Sequence, residues 1–452
     1  METYTTERNG KGLIHNDYRF RKHEKRSKTI SWKCSVSKCS AGIVTTNLEM
    51  NEIVRLTNSR NHEPLSQKEK DLHEIRTSIK RKATINPNQK AGDVIYPETA
   101  KYMTVDNNDV INLRQVYHKQ RSKSRPSLPK TRLETLKAIR NIEHKFKMSI
   151  DDSKEIVLLT TDENLRHLSK SEHIFVDGTF YTCPKYFHQI YTFHAFVKKQ
   201  YVACIFCLLP DKKEATYKAM LDLVINLAAA ESIVLSPSVI HADLEVAPMN
   251  AFKSRFPTAQ LMACQIHVAK AWWSHMQEYG LSTIYKQINS DESKWLKLFF
   301  GLPALPPDEV ENCFAFTLMS QKPNSSHQGI DHFADYILST YILPDSRYPP
   351  SLWANEAVVG RTTNACENFH RHFKDNFPSA HPNIFLFLDI LQKEQQKIQL
   401  KIRTIEPAVP KRRKTKTKEE RKENLLTLYK THQITQIEFL TNVANEMLPV
   451  VF

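Results

Sequence analysis

Asp177, Asp243 and Glu367 are the side chains whose type and setting point most directly to chemistry. Hard divalent cations take oxygen ligands, and two-ion phosphodiester chemistry needs several carboxylates converging on one spot. Asp177 closes the apolar run HIFV and is followed by Gly178-Thr179-Phe180, which returns at once to strand character. A carboxylate inside a buried strand requires a partner for its charge. The position therefore reads as a metal ligand, set against a turn residue or a structural ion pair. Asp243 ends the short strand SVIHAD and runs into the helical VAPMNAFKSRF, with Glu245 a further candidate in the same turn. Side chains at the carboxyl ends of neighbouring strands can meet in one crevice; the alternative for Asp243 is a cap on the following helix. Glu367 lies in the helical TTNACENFHRHF, whose start Thr362, Thr363 or Asn364 can cap. Taken alone, it is equally an exposed residue paired with Arg371 one turn on.

The elements that must position these acids follow from the hydrophobic pattern. EIVLLTT, HIFVDGTF, QIYTFHAFV and YVACIFCLLP are successive strand-like runs rich in Val, Ile, Phe and Tyr. A helix over 215–230, the strand SVIHAD, a helix over 246–255 and the strand AQLMACQIH come next. Residues 268–350 read as mostly helical with proline-rich joints, and 364–376 and 383–405 as further helices. This order predicts an α/β layer architecture with a mixed sheet.

The 452 residues carry a net charge of +15, unevenly placed. Residues 1–150 hold 31 Lys and Arg against 16 Asp and Glu, whereas residues 151–400 hold 22 against 27. A basic front on a mildly acidic body suggests a polyanion-binding module attached to a part with another task. Only 9 glycines are present, and neither a P-loop nor a dinucleotide-binding glycine fingerprint occurs. The longest apolar stretch, 219–235, is interrupted by Asp222, Asn226 and Glu231, so no membrane span is expected. No apolar export segment opens the sequence, and the eight cysteines read as reduced thiols or metal ligands.

Short alternating runs over 11–62 predict a small β-rich unit. Within it Cys34, Cys39 after four intervening residues, and His62 suggest a zinc staple, which so small a fold needs. Arg19, Arg21, Lys22, Lys25, Arg26 and Lys28 crowd near Tyr18 and Trp32 and suit phosphate contacts. A charged helix is predicted over 63–83, a linker over 85–106 holding Pro87, Gly92 and Pro97, and a helix over 109–123 suited to groove readout. The basic run PKRRKTKTKEERK (410–422) lies between two helical segments and fits a nuclear localisation signal, a phosphate-contacting tail or a solvated linker.

Taken in order, IFVDGTFYTCPKYFHQIYTFHAF, LLPDKKEATYKAM, HADLEVAPMNAFKSRFP, CQIHVAKAWW and RTTNACENFHRHF resemble the Mutator-like element (MULE) transposases over about residues 145–400. The resemblance implies an RNase H-like fold with a DDE triad at Asp177, Asp243 and Glu367, binding Mg2+ or Mn2+. It maps a supporting C-x2-H element onto Cys264 and His267. The spacings of 66 and 124 residues fit a core with an all-helical insertion (about 268–355) before the Glu. The N-terminal unit resembles a FLYWCH zinc finger through Leu13, Tyr18, Phe20, Trp32, Cys34 and Cys39. That family ends in H-x-H; here Arg60 stands in the first place and cannot ligate, so His23 or another group supplies the fourth ligand, or the site is weakened. No cysteine follows residue 366, so a C-terminal zinc knuckle is absent from the sequence.

The implied organisation is a finger-like module (8–64), a basic helical region (65–150), an RNase H-like core (151–400) and a basic tail with a helix (401–452). The implied function is a nuclear DNA transposase that binds double-stranded transposon ends and target, works as a homo-oligomer, and cleaves and joins strands. A host-recruited DNA-binding regulator without the chemistry is the alternative, and a nuclease acting on RNA a weaker third.

Overall fold

The computed structural model describes residues 2–5, 10–46, 52–57, 59–86, 89–124, 126–197, 200–287, 289–355, 364–404 and 413–447. They fall into two compact units, Met1–Leu128 and Pro129–Phe452.

The first unit opens with six antiparallel strands in sequence order: β1 (Glu2–Thr5), β2 (Lys11–His15), β3 (Tyr18–Lys25), β4 (Thr29–Cys34), β5 (Gly42–Thr46) and β6 (Ile53–Thr57). Asn16 and Asp17 join β2 to β3 with φ of 48° and 63°. These residue types tolerate the left-handed conformation that a two-residue hairpin needs. Alternation along β4 turns Ile30, Trp32 and Cys34 inward, where they pack with Leu13, Phe20 and Ile43. The buried indole of Trp32 donates to Thr45 Oγ1 at 3.0 Å, leaving no polar atom of that ring unmatched.

Three helices complete the unit: α1 (Gln67–Ile85), α2 (Ala91–Thr99) and α3 (Asn107–Ser124). A Ser66–Glu69 capping box starts α1. Residues 85–106 are not the linker that Pro87, Gly92 and Pro97 suggested. Pro97 sits near the end of α2, where its missing N–H forfeits one helical bond. Burial of Val94 and Ile95 against Ile75, Ile79, Leu113 and Tyr117 holds the turn helical nonetheless.

The second unit is built on a seven-stranded mixed sheet ordered β13-β12-β9-β10-β11-β8-β7. Its strands are β7 (Lys147–Asp151), β8 (Ile156–Thr160), β9 (His173–Thr179), β10 (Gln189–Val197), β11 (Gln200–Leu209), β12 (Val239–Ala242) and β13 (Gln260–Ala263). Strands β7, β8, β11, β10 and β9 pair antiparallel, whereas β12 runs parallel to β9 and β13 parallel to β12. Helix α4 (Arg132–Asn141) precedes the sheet, and α5 (Asp162–Ser169) separates β8 from β9. Helix α6 (Glu214–Ala230) and α7 (Val246–Arg255) form the crossovers that the parallel strands require.

Between the sheet and residue 355 lies an all-helical body with its own core. It comprises α8 (Gln265–Glu278), α9 (Ser282–Tyr285), α10 (Asp291–Leu298), α11 (Pro307–Asn312), α12 (Gly329–Ile337) and α13 (Pro350–Trp353). Trp272, Trp295, Phe299 and Trp353 are its centre. Helices α14 (Asn364–Asp375) and α15 (Ile384–Thr404) return to the sheet, burying Phe373, Phe377, Phe387 and Leu391. Helix α16 (Arg413–Lys430) takes in most of the basic run that the sequence placed between helices; residues 410–412 lie outside the described residues. Helix α17 (Gln436–Met447) inserts Phe439, Leu440, Val443 and Ala444 into the core of the insertion. No described helix is long and apolar enough to cross a membrane.

Gly301 shows how closely α17 is seated. A Cβ there would lie 2.7 Å from the Leu440 carbonyl oxygen and 2.9 Å from its Cα. Gly301→Ala should therefore cost about 1–3 kcal/mol through overpacking against backbone. Thermal denaturation should record the loss, and limited proteolysis should cut α17 free; an unchanged melting curve would refute this seating.

Candidate functional site

The parallel register between β9 and β12 pairs Val239 with His173, Ile240 with Ile174 and His241 with Phe175, a constant offset of 66. The same offset separates Asp243 from Asp177. Asp243 follows directly on the end of β12, and Asp177 lies near the end of β9 beside it. Both line one small cleft with Phe180, Tyr191, Lys212 and Glu245. Asp243 does not cap α7; the N-cap position belongs to Glu245, whose side chain makes no capping bond.

Helix α8 brings a bridge. Cys264 is its N-cap, and His267 stands one turn inside. The His267 Nδ1 lies 2.8 Å from Asp243 Oδ1, and its Nε2 lies 3.4 Å from Glu367 Oε1. Lys270 adds its Nζ at 3.3 Å from the same Glu367 oxygen. Burial opposes a charge on His267, but Asp243 and Cys264 outweigh it and lift the imidazole to about 10. Although close, Asp243 Oδ1 and His267 Nδ1 are not aligned as a hydrogen bond; each is buried without a hydrogen-bond partner. Glu367 thus joins the cluster through His267. Its expected alternative partner, Arg371, donates to Asn368 Oδ1 at 2.9 Å. Of the suggested caps of α14, Thr362 and Thr363 lie outside the described residues.

Helix α14 makes a second connection, which the sequence reading missed. His370, one turn after Glu367, places Nδ1 2.9 Å from Asp177 Oδ2. Its Nε2 is 2.9 Å from Thr192 Oγ1, and His194 Nε2 is 2.9 Å from that same hydroxyl. All four residues are buried. Burial pushes the Asp177 carboxyl up against the opposing pull of His370, and burial drives His194 well down, toward its neutral form. The Thr192 hydroxyl donates to the Asp177 main-chain carbonyl at 3.2 Å, which leaves its oxygen to accept from the two imidazoles, while His370 Nδ1 faces the Asp177 carboxylate. The signals were present, Thr192 and His194 at strand spacing and His370 at helical spacing from Glu367, but their meeting is tertiary.

In the first unit Cys34, Cys39 and His62 present ligand atoms within 4.8 Å of one another, the one such group among the described residues. The three acids form no such group; His267 lies between Asp243 and Glu367. His62 Nδ1 faces the Glu63 carbonyl at 2.9 Å. A carbonyl only accepts, so Nδ1 carries the proton and Nε2 turns its lone pair toward Cys34 Sγ, 3.1 Å away. Burial pushes the Cys34 thiol up; the Cys39 thiol is lowered despite burial, by the Ala41 N–H, Cys34 and His62. This donor set suits Zn2+. His23 is exposed at the β3 bulge and is not part of the group. Arg60 lies over the Tyr18 ring at 3.8 Å, and Tyr18 stands edge-on to His62.

Arg21, Lys22, Lys25, Arg26 and Lys28 are exposed on β3 and the turn after it. Arg19 is half-buried and donates to the Glu69 carbonyl at 3.2 Å, which ties it to α1.

The protein thus combines a β module carrying a zinc-type donor set with a mixed-sheet body whose acids share one cleft. More particularly, residues 173–271 match the MULE transposase domain and residues 3–62 the FLYWCH zinc finger domain, as the sequence resemblance implied. Asp177, Asp243, Cys264 and His267 fall inside the first match, and Glu367 lies beyond it. No curated protein matches the chain.

Cys34→Ser or Cys39→Ser should weaken zinc binding by more than about 100-fold, since even groups behind a ligand are worth 10–100-fold. Elemental analysis of purified protein, with Co2+ absorption as a second readout, tests this. Full metal content in either variant would remove that thiol from the site.

Proposed function

We propose that the protein is a DNA transposase of the Mutator-like kind, which binds element-end DNA and carries out metal-dependent strand cleavage and strand transfer. The observation that carries this reading is that Asp177 on β9 and Asp243 just after the parallel neighbour β12 line one cleft. Three consecutive antiparallel strands followed by two parallel ones across helical crossovers support an RNase H-like core. Asp177 and Asp243 bring carboxylate oxygens, the donors that a hard cation such as Mg2+ or Mn2+ takes, to one cleft, where Asp243 Oδ1 faces His267 Nδ1 at 2.8 Å. Such ions, when bound, lower the pKa of the attacking water or 3′ hydroxyl and take up charge on the leaving oxygen.

In this reading Asp177, Asp243 and Glu367 are the oxygen donors. His370 holds the Asp177 carboxylate in one orientation, and His267 and Lys270 pair with Glu367. Lys212, ion-paired with Glu245 at 2.7 Å, supplies positive charge for a phosphate at the rim. The finger and its exposed basic residues dock on duplex DNA through phosphates, with Zn2+ as the structural staple. The basic run at 410–422 supports action in the nucleus, where the protein works as a homo-oligomer.

A second reading, a DNA-binding regulator without the chemistry, is favoured by one observation: His267 stands between Asp243 and Glu367. Asp177→Asn separates the two. On the transposase reading it abolishes Mg2+-dependent nicking of DNA while gel-shift affinity stays unchanged. Wild-type protein that binds DNA and never cuts it, with Mg2+ or Mn2+, supports the regulator. Cutting that persists in Asp177→Asn removes Asp177 from the site.

A further inference from the structure

The loop joining β9 to β10 runs from residue 180 to 188, immediately beyond Asp177. It carries two adjacent rings in solvent, Phe180 at 41% and Tyr181 at 37% exposure. Single exposed apolar residues need no explanation, but these two are set on a rigid base. Cys183 and Phe187 of the same loop are buried, and the Phe180 ring stands edge-on to His188. The Cys183 N–H donates to the Phe180 carbonyl at 3.1 Å, and the His381 N–H to the Tyr181 carbonyl at 2.9 Å. The Lys185 N–H donates to the Pro382 carbonyl at 3.0 Å, and Arg132 Nε to the Tyr186 carbonyl at 2.6 Å. Held so firmly, the backbone gives the two rings no route into the core.

Each ring has an ammonium over its face. Lys212 Nζ lies 4.5 Å from the Phe180 centroid, and Lys374 Nζ lies 4.3 Å from the Tyr181 centroid. The two lysines come from different elements, the segment after β11 and the last turn of α14. Phe180 and Lys212 also line the cleft that contains Asp177 and Asp243.

Aromatic faces interleaved with cations are the chemistry that binds unpaired nucleotides: bases stack on the rings and phosphates meet the ammonium groups. An apolar protein surface would gain nothing from the lysines. We infer that residues 180–181, with Lys212 and Lys374, form a stacking platform for unpaired bases of the DNA strand entering the acidic cleft. This rests on the DNA-processing reading above and adds the state of the substrate: the duplex is opened beside the scissile phosphate.

The experiment uses the full chain and two fluorescent probes, a blunt duplex and the same duplex with an unpaired arm carrying 2-aminopurine. The wild type should prefer the forked probe and quench its fluorescence, as stacking does. The double variant Phe180→Ala/Tyr181→Ala should lose at least about fivefold in affinity for the fork, the loss of one stacked base, and keep its affinity for the blunt duplex. Phe180→Trp should retain quenching, which guards against a merely misfolded double variant, and Lys374→Ala should weaken fork binding while quenching persists. Equal fork binding by the double variant, or fork binding by wild type without quenching, overturns the platform and leaves the DNA-processing reading standing; the rings would then belong to a protein partner. Failure of the wild type to bind either probe overturns both.

Discussion

A carboxylate has been placed in the middle of a sheet, and the body of the protein is arranged around the need to keep it there. Asp177 lies on β9, flanked by β12 and β10, at a depth where an unpartnered charge would be strongly destabilising. The compensation comes from His370 on α14, which is backed in turn by Thr192 and His194 on β10. That contact fixes the height and rotation of α14 on the sheet. One turn earlier on the same helix is Glu367, so the contact that satisfies the first acid also delivers the third.

The insertion contributes the complementary constraint. His267, on the first turn of α8, reaches both Asp243 and Glu367 with its two ring nitrogens. The cluster is therefore clasped by two imidazoles, one on the first helix of the insertion and one on α14 after it. Deleting either would leave a buried or half-buried acid uncompensated, a larger effect than the net worth of the pair itself.

Much of this was legible in the sequence, because apolar β-branched runs of five to ten residues identify buried strands. Strands β9 to β13 and helices α6 and α7 fall where those runs predict. Strand β7 (KMSID) and helix α5 (DENLRHLS) were not recognised, being short and polar, with their burial supplied by neighbours. Helix α2 was obscured by Gly92 and Pro97, whose local preference is overridden by the packing of Val94 and Ile95. The same limit applies to the site. Acids at strand ends can be picked out one at a time, whereas His370 and His267 acquire their meaning only from partners 193 and 100 residues away. In the finger the missing histidine at Arg60 was plain, but the stacking of that arginine on Tyr18 beside His62 depends on the folded sheet.

The seating of Leu440 against Gly301 bears on how the polypeptide is made. The two residues are 139 positions apart, yet they share one hydrophobic interior. During synthesis the helices from α8 to α13 emerge with a greasy groove that nothing can yet fill, and it stays open until α17 leaves the ribosome. Contacts of such long sequence separation form slowly, so the nascent chain passes through an interval in which the apolar surface later covered by Phe439 and Leu440 gives a chaperone something to hold.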